Sequence, residues 1–251
     1  MVVASMGAER AGGRRFYVGM AAVFVLIAFA GFTPTYWGQL AAGSYRGAPI
    51  THIHGALFFF WTLFFFAQTA LVAGGRTLDH RRWGLAGISL ATAMSITVVL
   101  ASINSMKAGA AIGMGDQARQ FAIVPMGALL LFAVMFTLAI VNIPRPEVHK
   151  RLMLLLMIPL MQAALARVFR AALAPPDAVG PPPVFAAVPP GIAADLLVVA
   201  AIVHDWRSRG RPHQIYLIGG AAILAEQMLC WALGPTQSWM AIAAWIESLA
   251  G

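Results

Sequence analysis

Residues 51–68 read THIHGALFFFWTLFFFAQ: two histidines one residue apart, then an apolar run rich in phenylalanine that closes on a glutamine. About 20 mostly apolar residues, rising ~1.5 Å each, cross the ~30 Å hydrocarbon core of a bilayer as a helix. Followed to residue 74, the stretch reaches that length without a charged side chain, which predicts a transmembrane helix over about 53–74. Runs of the same kind recur at about 16–38, 83–104, 119–142, 150–172, 187–205 and 213–234. The chain therefore reads as all-α, an integral membrane seven-helix bundle forming a single transmembrane domain over 1–251.

Composition agrees. The 251 residues are 60% hydrophobic and 10% charged, with a mean hydropathy of +0.78, whereas soluble domains carry roughly 25% charged residues. A formal charge of +8 raises the question of nucleic acid. The cations sit in short clusters between apolar runs, an orientation signal and not a DNA-binding face, so no nucleic-acid partner is expected. The one cysteine, Cys230, rules out an internal disulfide and a CxxC metal site. A cofactor would have to be held by His, carboxylate, Met or packing.

The cations orient the bundle. Arg10, Arg14, Arg15, Arg76, Arg81, Arg82, Arg145, Lys150, Arg151, Arg207, Arg209 and Arg211 fall on the side of the N-terminus, and Arg46, Lys107, Arg119, Arg167 and Arg170 on the other. Twelve against five places the N-terminus in the cytoplasm and, after seven spans, the C-terminus outside. This describes a multi-pass protein of the bacterial inner (cytoplasmic) membrane, in contact with membrane lipid. A loose A-x-A at Ala28–Ala30 raises a cleaved signal peptide, but the apolar run continues into TPTYW, which favours a retained span. APPDAVGPPPVFAAVPP, from Ala174, is too proline-rich for helix and predicts an outside loop. Beyond the seventh run, Trp239, Ile242, Ile246 and Leu249 recur at helical spacing, predicting a short interfacial helix over about 237–249.

Sorted by depth, the polar residues form two groups. His80, His149, His204 and His213 lie at inner helix ends, with Asp79 and Asp205 beside two of them. Histidine is the commonest transition-metal ligand and a haem ligand, and a neighbouring carboxylate fixes its tautomer, so the four are candidate cofactor-binding residues, with His80 and His149 preferred as metal ligands. The alternative is that each, beside an Arg or Lys, meets lipid phosphates and helix ends. The outer group is His54, Arg167, Arg170, Asp195 and Glu226, a candidate substrate pocket, because ionisable residues in a span are costly unless paired or hydrated. The alternative there is a structural salt bridge from Arg167 to Glu226 or Asp195. His52 and His54 are about 200° apart on a helix, so both cannot face one interior point. The stripe Phe58, Trp61, Phe65 reads more readily as packing than as a cofactor wall. His54 and His80 are 26 residues apart, about 39 Å along a helix, and cannot share a haem. A retinal Schiff base needs an embedded lysine, and Lys107 and Lys150 sit at loop or helix-end positions. HExxH, Walker A and GxGxxG are absent.

HGALFFFWTLFFFAQ, HRRWG from His80 and HKRLM from His149, followed by Arg167, resemble an uncharacterised family of bacterial polytopic membrane proteins with ordered His, HRxxG and H[KR]RxM motifs. The resemblance covers about 50–170 and carries over His54, His80, Arg81, Gly84, His149, Arg151, Met153 and Arg167. It supplies no activity. A second likeness is to transmembrane b-type cytochromes, which pair histidines at one depth on facing helices. Here only the four inner histidines could do so.

Three functions follow. The first is a redox-associated membrane protein, a candidate oxidoreductase, holding haem b or a transition metal through the inner histidines, with the outer pocket taking a quinone or small anionic ligand through the Arg fork and His proton transfer. The second is a carrier or binding protein for a small amphipathic or proton-coupled substrate. The third is a structural or assembly partner of a membrane complex.

Overall fold

The computed structural model describes residues 2–175 and 178–249, and all the regular structure among them is helical. Seven helices are long and apolar enough to cross a membrane: α1 (Gly13–Ala41, already helical from Val2), α2 (Pro49–Ala73), α3 (Thr77–Ala111), α4 (Gly115–Val141), α5 (Pro146–Leu173), α6 (Val184–Arg209) and α7 (Gln214–Leu233). A short α8 (Gln237–Ser248) follows. Consecutive spans are antiparallel, so the bundle has an N-terminal face, where α1 starts, and a C-terminal face opposite. Leu26, Phe60, Leu85, Leu130, Leu196 and Ile218, on six different helices, are each at least 63% exposed. Water would not tolerate that apolar belt, whereas lipid tails solvate it. The protein is built as a multi-span membrane protein.

Six of the seven spans run longer than hydropathy alone expects, because polar first and last turns remain helical. α3 extends over Thr77–Ala111 instead of about 83–104, and α5 begins at Pro146 instead of 150. Three spans are broken where proline removes an N–H. Pro34 opens a π-turn over Thr33–Trp37, in which Trp37 N–H donates to Phe32 O at 3.2 Å. Pro125 divides α4 at Ala122, and Pro159 divides α5 at Leu156.

α5 is the central helix. Over half of its apolar window is buried (56%), against 39% for α3, the next most enclosed. Leu154, Leu155, Leu156, Met157 and Ile158 meet Phe24, Trp61, Phe65, Met94, Phe132 and Tyr216 in one core. Trp61 donates its Nε1–H to Met157 Sδ at 3.1 Å and sets its ring edge-on to Phe132 and Phe136. The aromatic stripe of α2 is thus packing.

α8 forms where the short C-terminal helix is expected, but the expected apolar face divides. Trp239, Ala243 and Ile246 turn inward onto Ile103, Met106, Ala118 and Ala122. Trp239 Nε1–H donates to Arg119 O at 2.8 Å, and Arg119 Nε lies 2.7 Å from Glu247 Oε2. Ile242, Trp245 and Leu249 remain outside. The residues at i, i+4 and i+7 from Trp239 dock, and those between them face away. In the proline-rich connection, Pro176 and Asp177 lie outside the described residues. Arg170 holds that connection through Ala178 O (2.8 Å) and Gly180 O (3.3 Å), and a 3-10 turn over Val184–Ala187 leads into α6.

Candidate functional site

At the N-terminal face, the first turns of α5 and α7 and the last turn of α6 converge on Arg151. Its side chain is 1% exposed and forms a two-pronged pair with Asp205, Nε to Oδ2 at 2.9 Å and Nη2 to Oδ1 at 2.7 Å. Nη1 donates to Glu147 O and Oε2 at 2.8 and 2.6 Å. Lys150 and Arg209 also reach Glu147. Arg151 lies over the Tyr216 ring, whose hydroxyl meets Tyr17 Oη at 2.9 Å. Two of the four hydrogen bonds from this guanidinium tie α5 to α6, and its place over Tyr216 brings in α7, so the knot locks the three helices together.

Two of the four inner histidines belong to that lock. His204 stacks on Phe16 with ring centroids 3.8 Å apart. His213 accepts the Ile215 N–H on Nδ1, capping α7, while its own N–H donates to Asp205 Oδ2 at 3.2 Å. Burial, with Arg151 and Arg209 nearby, holds its imidazole below the usual histidine range. The other two form a separate pair, the rings of His80 and His149 standing edge to face with centroids 6.4 Å apart. His149 Nδ1 bonds Ala139 O at 2.8 Å. His80 Nδ1 and both side-chain amide atoms of the buried Gln68 have no hydrogen-bond partner among the described residues. Of the four candidate ligands, the structure brings together the rings of His80 and His149, the two preferred as metal ligands. Helix ends that share a face still point around a circumference, and among the described residues no group of three or more His, Cys, Asp or Glu can hold a metal ion.

The outer group also divides. Arg167, near the C-terminal-face end of α5, lies over the Phe32 ring at 4.1 Å and donates to Ala163 O at 2.9 Å. It makes no ion pair among the described residues, so the expected bridge to Glu226 or Asp195 is not formed. His54 and Tyr45 are within its electrostatic reach. His54 packs on Phe58, whereas His52 turns away to Tyr36 Oη at 2.9 Å. Phe32 continues through Phe59 to Trp37. His54 Nδ1, Trp37 Nε1 and Thr35 Oγ1 are buried without hydrogen-bond partners among the described residues. The π-turn at Pro34 carries Thr35 and Trp37 inward beside α2. Sequence reasoning found His54 and Arg167 but not Phe32, Thr35 and Trp37, whose only signal was the proline inside an apolar run.

Asp195 and Glu226 sit together elsewhere, between α4, α5, α6 and α7. Gln227 donates its Nε2–H to both Asp195 oxygens at 3.2 Å. Cys230 Sγ lies 3.2 Å from Glu226 Oε1. Gln162 donates to Ala187 O at 2.8 Å. Gln162, Glu226, Gln227 and Cys230 line a cavity of about 10 Å³, room for one water molecule. Glycine makes this possible: a Cβ at Gly127 would strike Glu226 Oε1 and Cys230 Sγ, and one at Gly191 would come within 2.8 Å of Gln227 Oε1. The three uncharged members, Gln162, Gln227 and Cys230, carry no signal in a search for charges.

No family model matches the chain, and no curated protein and no solved structure matches it.

Proposed function

We propose that the protein is a binding protein or carrier for a small amphipathic anion in the bacterial inner membrane, N-terminus in the cytoplasm and C-terminus outside. The positive-inside rule supports that orientation, twelve of the 17 Lys and Arg falling on the N-terminal side. The single observation that carries the binding reading is Arg167, a cation in a span whose partners are an aromatic face and a carbonyl of its own helix. Low dielectric makes such a charge attract an anion strongly. Trp37 Nε1–H is a second unengaged donor, His54 Nδ1 a second unengaged ring nitrogen, and Phe32, Phe58 and Phe59 supply apolar surface for a tail. The guanidinium fork would take the carboxylate or carbonyl head.

The test is calorimetric titration of the protein in lipid nanodiscs with dodecanoate, decylubiquinone and, as an uncharged control, dodecyl maltoside. Dodecanoate is expected to bind with an affinity that drops about tenfold or more in Arg167→Gln, the loss of one charge-assisted contact. Decylubiquinone binding through the same residue would make the head a quinone carbonyl. Equal affinities for all three in both proteins would refute the reading.

A second reading assigns redox chemistry to the N-terminal face, and the 6.4 Å approach of His80 and His149 favours it. His149 is bonded to Ala139 O through Nδ1, which fixes its ring and leaves Nε2 as the nitrogen that would hold a ligand. Two imidazoles suit haem b in donor chemistry, and such a group would supply one-electron transfer. A transition metal would need further ligands from outside the described residues. A reduced-minus-oxidised spectrum of protein purified after haem supplementation tests this. A haem signal lost in His80→Ala and His149→Ala supports it, and a colourless folded protein removes it.

A further inference from the structure

The Glu226 chamber is not used by either reading, and it is separate from Arg167. Two carboxyl groups face one another's fields inside the spans, Asp195 acting electrostatically on Glu226. Neither forms an ion pair with Lys or Arg among the described residues. Acidic residues alone would not make a site. The second observation is Gln227, a side chain only 5% exposed, lining the cavity with an Oε1 that has no partner. Its Nε2–H is committed to Asp195, which fixes the carbonyl end of the amide toward the chamber. A buried acceptor beside a water-sized space marks a place for a donor.

We propose that this chamber is a proton-binding site, with Glu226 as the group that loads and releases the proton and Asp195, held by Gln227, as the group that sets its charge balance. Loading forms an O–H bond on the Glu226 carboxylate and cancels its charge. Release breaks that bond, returns the proton to solvent water and restores the carboxylate. The donors that face the two carboxyls are neutral, the Gln227 amide on Asp195 and the Cys230 thiol on Glu226, and no Lys or Arg among the described residues pairs with either, so ionising the second carboxyl adds repulsion and the pair exchanges one proton at a time. Val184, Ala187 and Val188 line the same cavity and belong to the entry of α6, so exchange proceeds from the C-terminal face. A resident metal ion suits the site poorly, because the cavity holds one water and the Asp195 oxygens are already engaged by Gln227.

Dicyclohexylcarbodiimide tests the proposal on the full chain in nanodiscs. It partitions into apolar surroundings and adds only to a protonated carboxyl. Mass mapping is expected to find the adduct on Glu226, its yield falling as pH rises through a single midpoint. Glu226→Gln should remove it. In Asp195→Asn, loss of the neighbouring negative charge should move the midpoint down by about one pH unit. A folded wild-type protein unlabelled at Glu226 across the pH range, labelling that does not vary with pH, or a midpoint that Asp195→Asn leaves in place would each overturn the proposal. The first two need no variant, so a substitution that fails to fold does not protect it.

Discussion

Removing Asp205 isolates the strongest polar interaction in the bundle. Arg151 and Asp205 are 1% and 2% exposed, so solvent does not screen them. Taking one partner from a buried pair costs about 3–5 kcal/mol, because the remaining charge is stranded. In Asp205→Leu, Arg151 keeps Glu147 at 2.6 Å and the Glu147 carbonyl at 2.8 Å, which places the loss near the lower bound, about 3 kcal/mol. In Arg151→Met, Asp205 keeps only the His213 N–H at 3.2 Å among its bonds here, which places the loss near the upper bound, about 4–5 kcal/mol. The double variant strands neither charge and should lose no more than about 2 kcal/mol. Reversible unfolding in mixed micelles, read by tryptophan fluorescence, measures all four corners of this cycle. Additivity within about 0.5 kcal/mol, or single losses below about 1 kcal/mol, would refute the claim that the knot locks the helices.

Three further outcomes follow from geometry. His213 caps α7 only while Nδ1 is unprotonated, and burial holds its folded pKa below the ordinary histidine value of about 6.5. The cap's contribution is therefore complete above about 6.5 and is lost as pH falls through the lower folded value; the protection of the Ile215 amide, taken against its intrinsic exchange rate at each pH, should fall over that window in wild type and stay level in His213→Asn. Arg119→Gln removes the pair with Glu247 at a partly exposed site, costing about 1 kcal/mol or less of total stability, yet it should speed proteolysis after α8 because Trp239 and that pair anchor the helix. Trp61→Ala should cost roughly 1–3 kcal/mol, the lost packing against Met157, Phe132 and Phe136 without the aqueous transfer component, since lipid already solvates the unfolded reference. Unfolding midpoints unchanged from wild type would count against that packing.

Hydropathy located all seven spans because a bilayer demands long apolar helices whatever their tertiary partners. Depth was equally legible, and it put Arg167 and Glu226 in the same half of the bundle. Azimuth was not. Arg167 turns toward Phe32 on α1, while Glu226 turns toward Gly127 on α4, so one expected pocket became two sites. The same missing angle scattered the four histidines. Arg151 read as one more orientation cation in HKRLM, because its partner Asp205 lies 54 residues away and only packing unites them. The prolines at 34, 125 and 159 were visible, but whether each bends, unwinds or merely terminates a helix depends on neighbours that local sequence does not encode.

The enclosure of α5 has a consequence for biogenesis. As the chain is made, α5 leaves the ribosome before α6, and the carboxylate that neutralises Arg151 is still 54 residues from completion. A nascent α5 therefore faces lipid with a guanidinium that has only Glu147 of its own helix for a partner, Gln162 inside and a proline break between. Its arginine must remain at the headgroup boundary until α6 delivers Asp205. The order of synthesis thus makes the last three spans a cooperative insertion unit, settling against a platform already built by the first four.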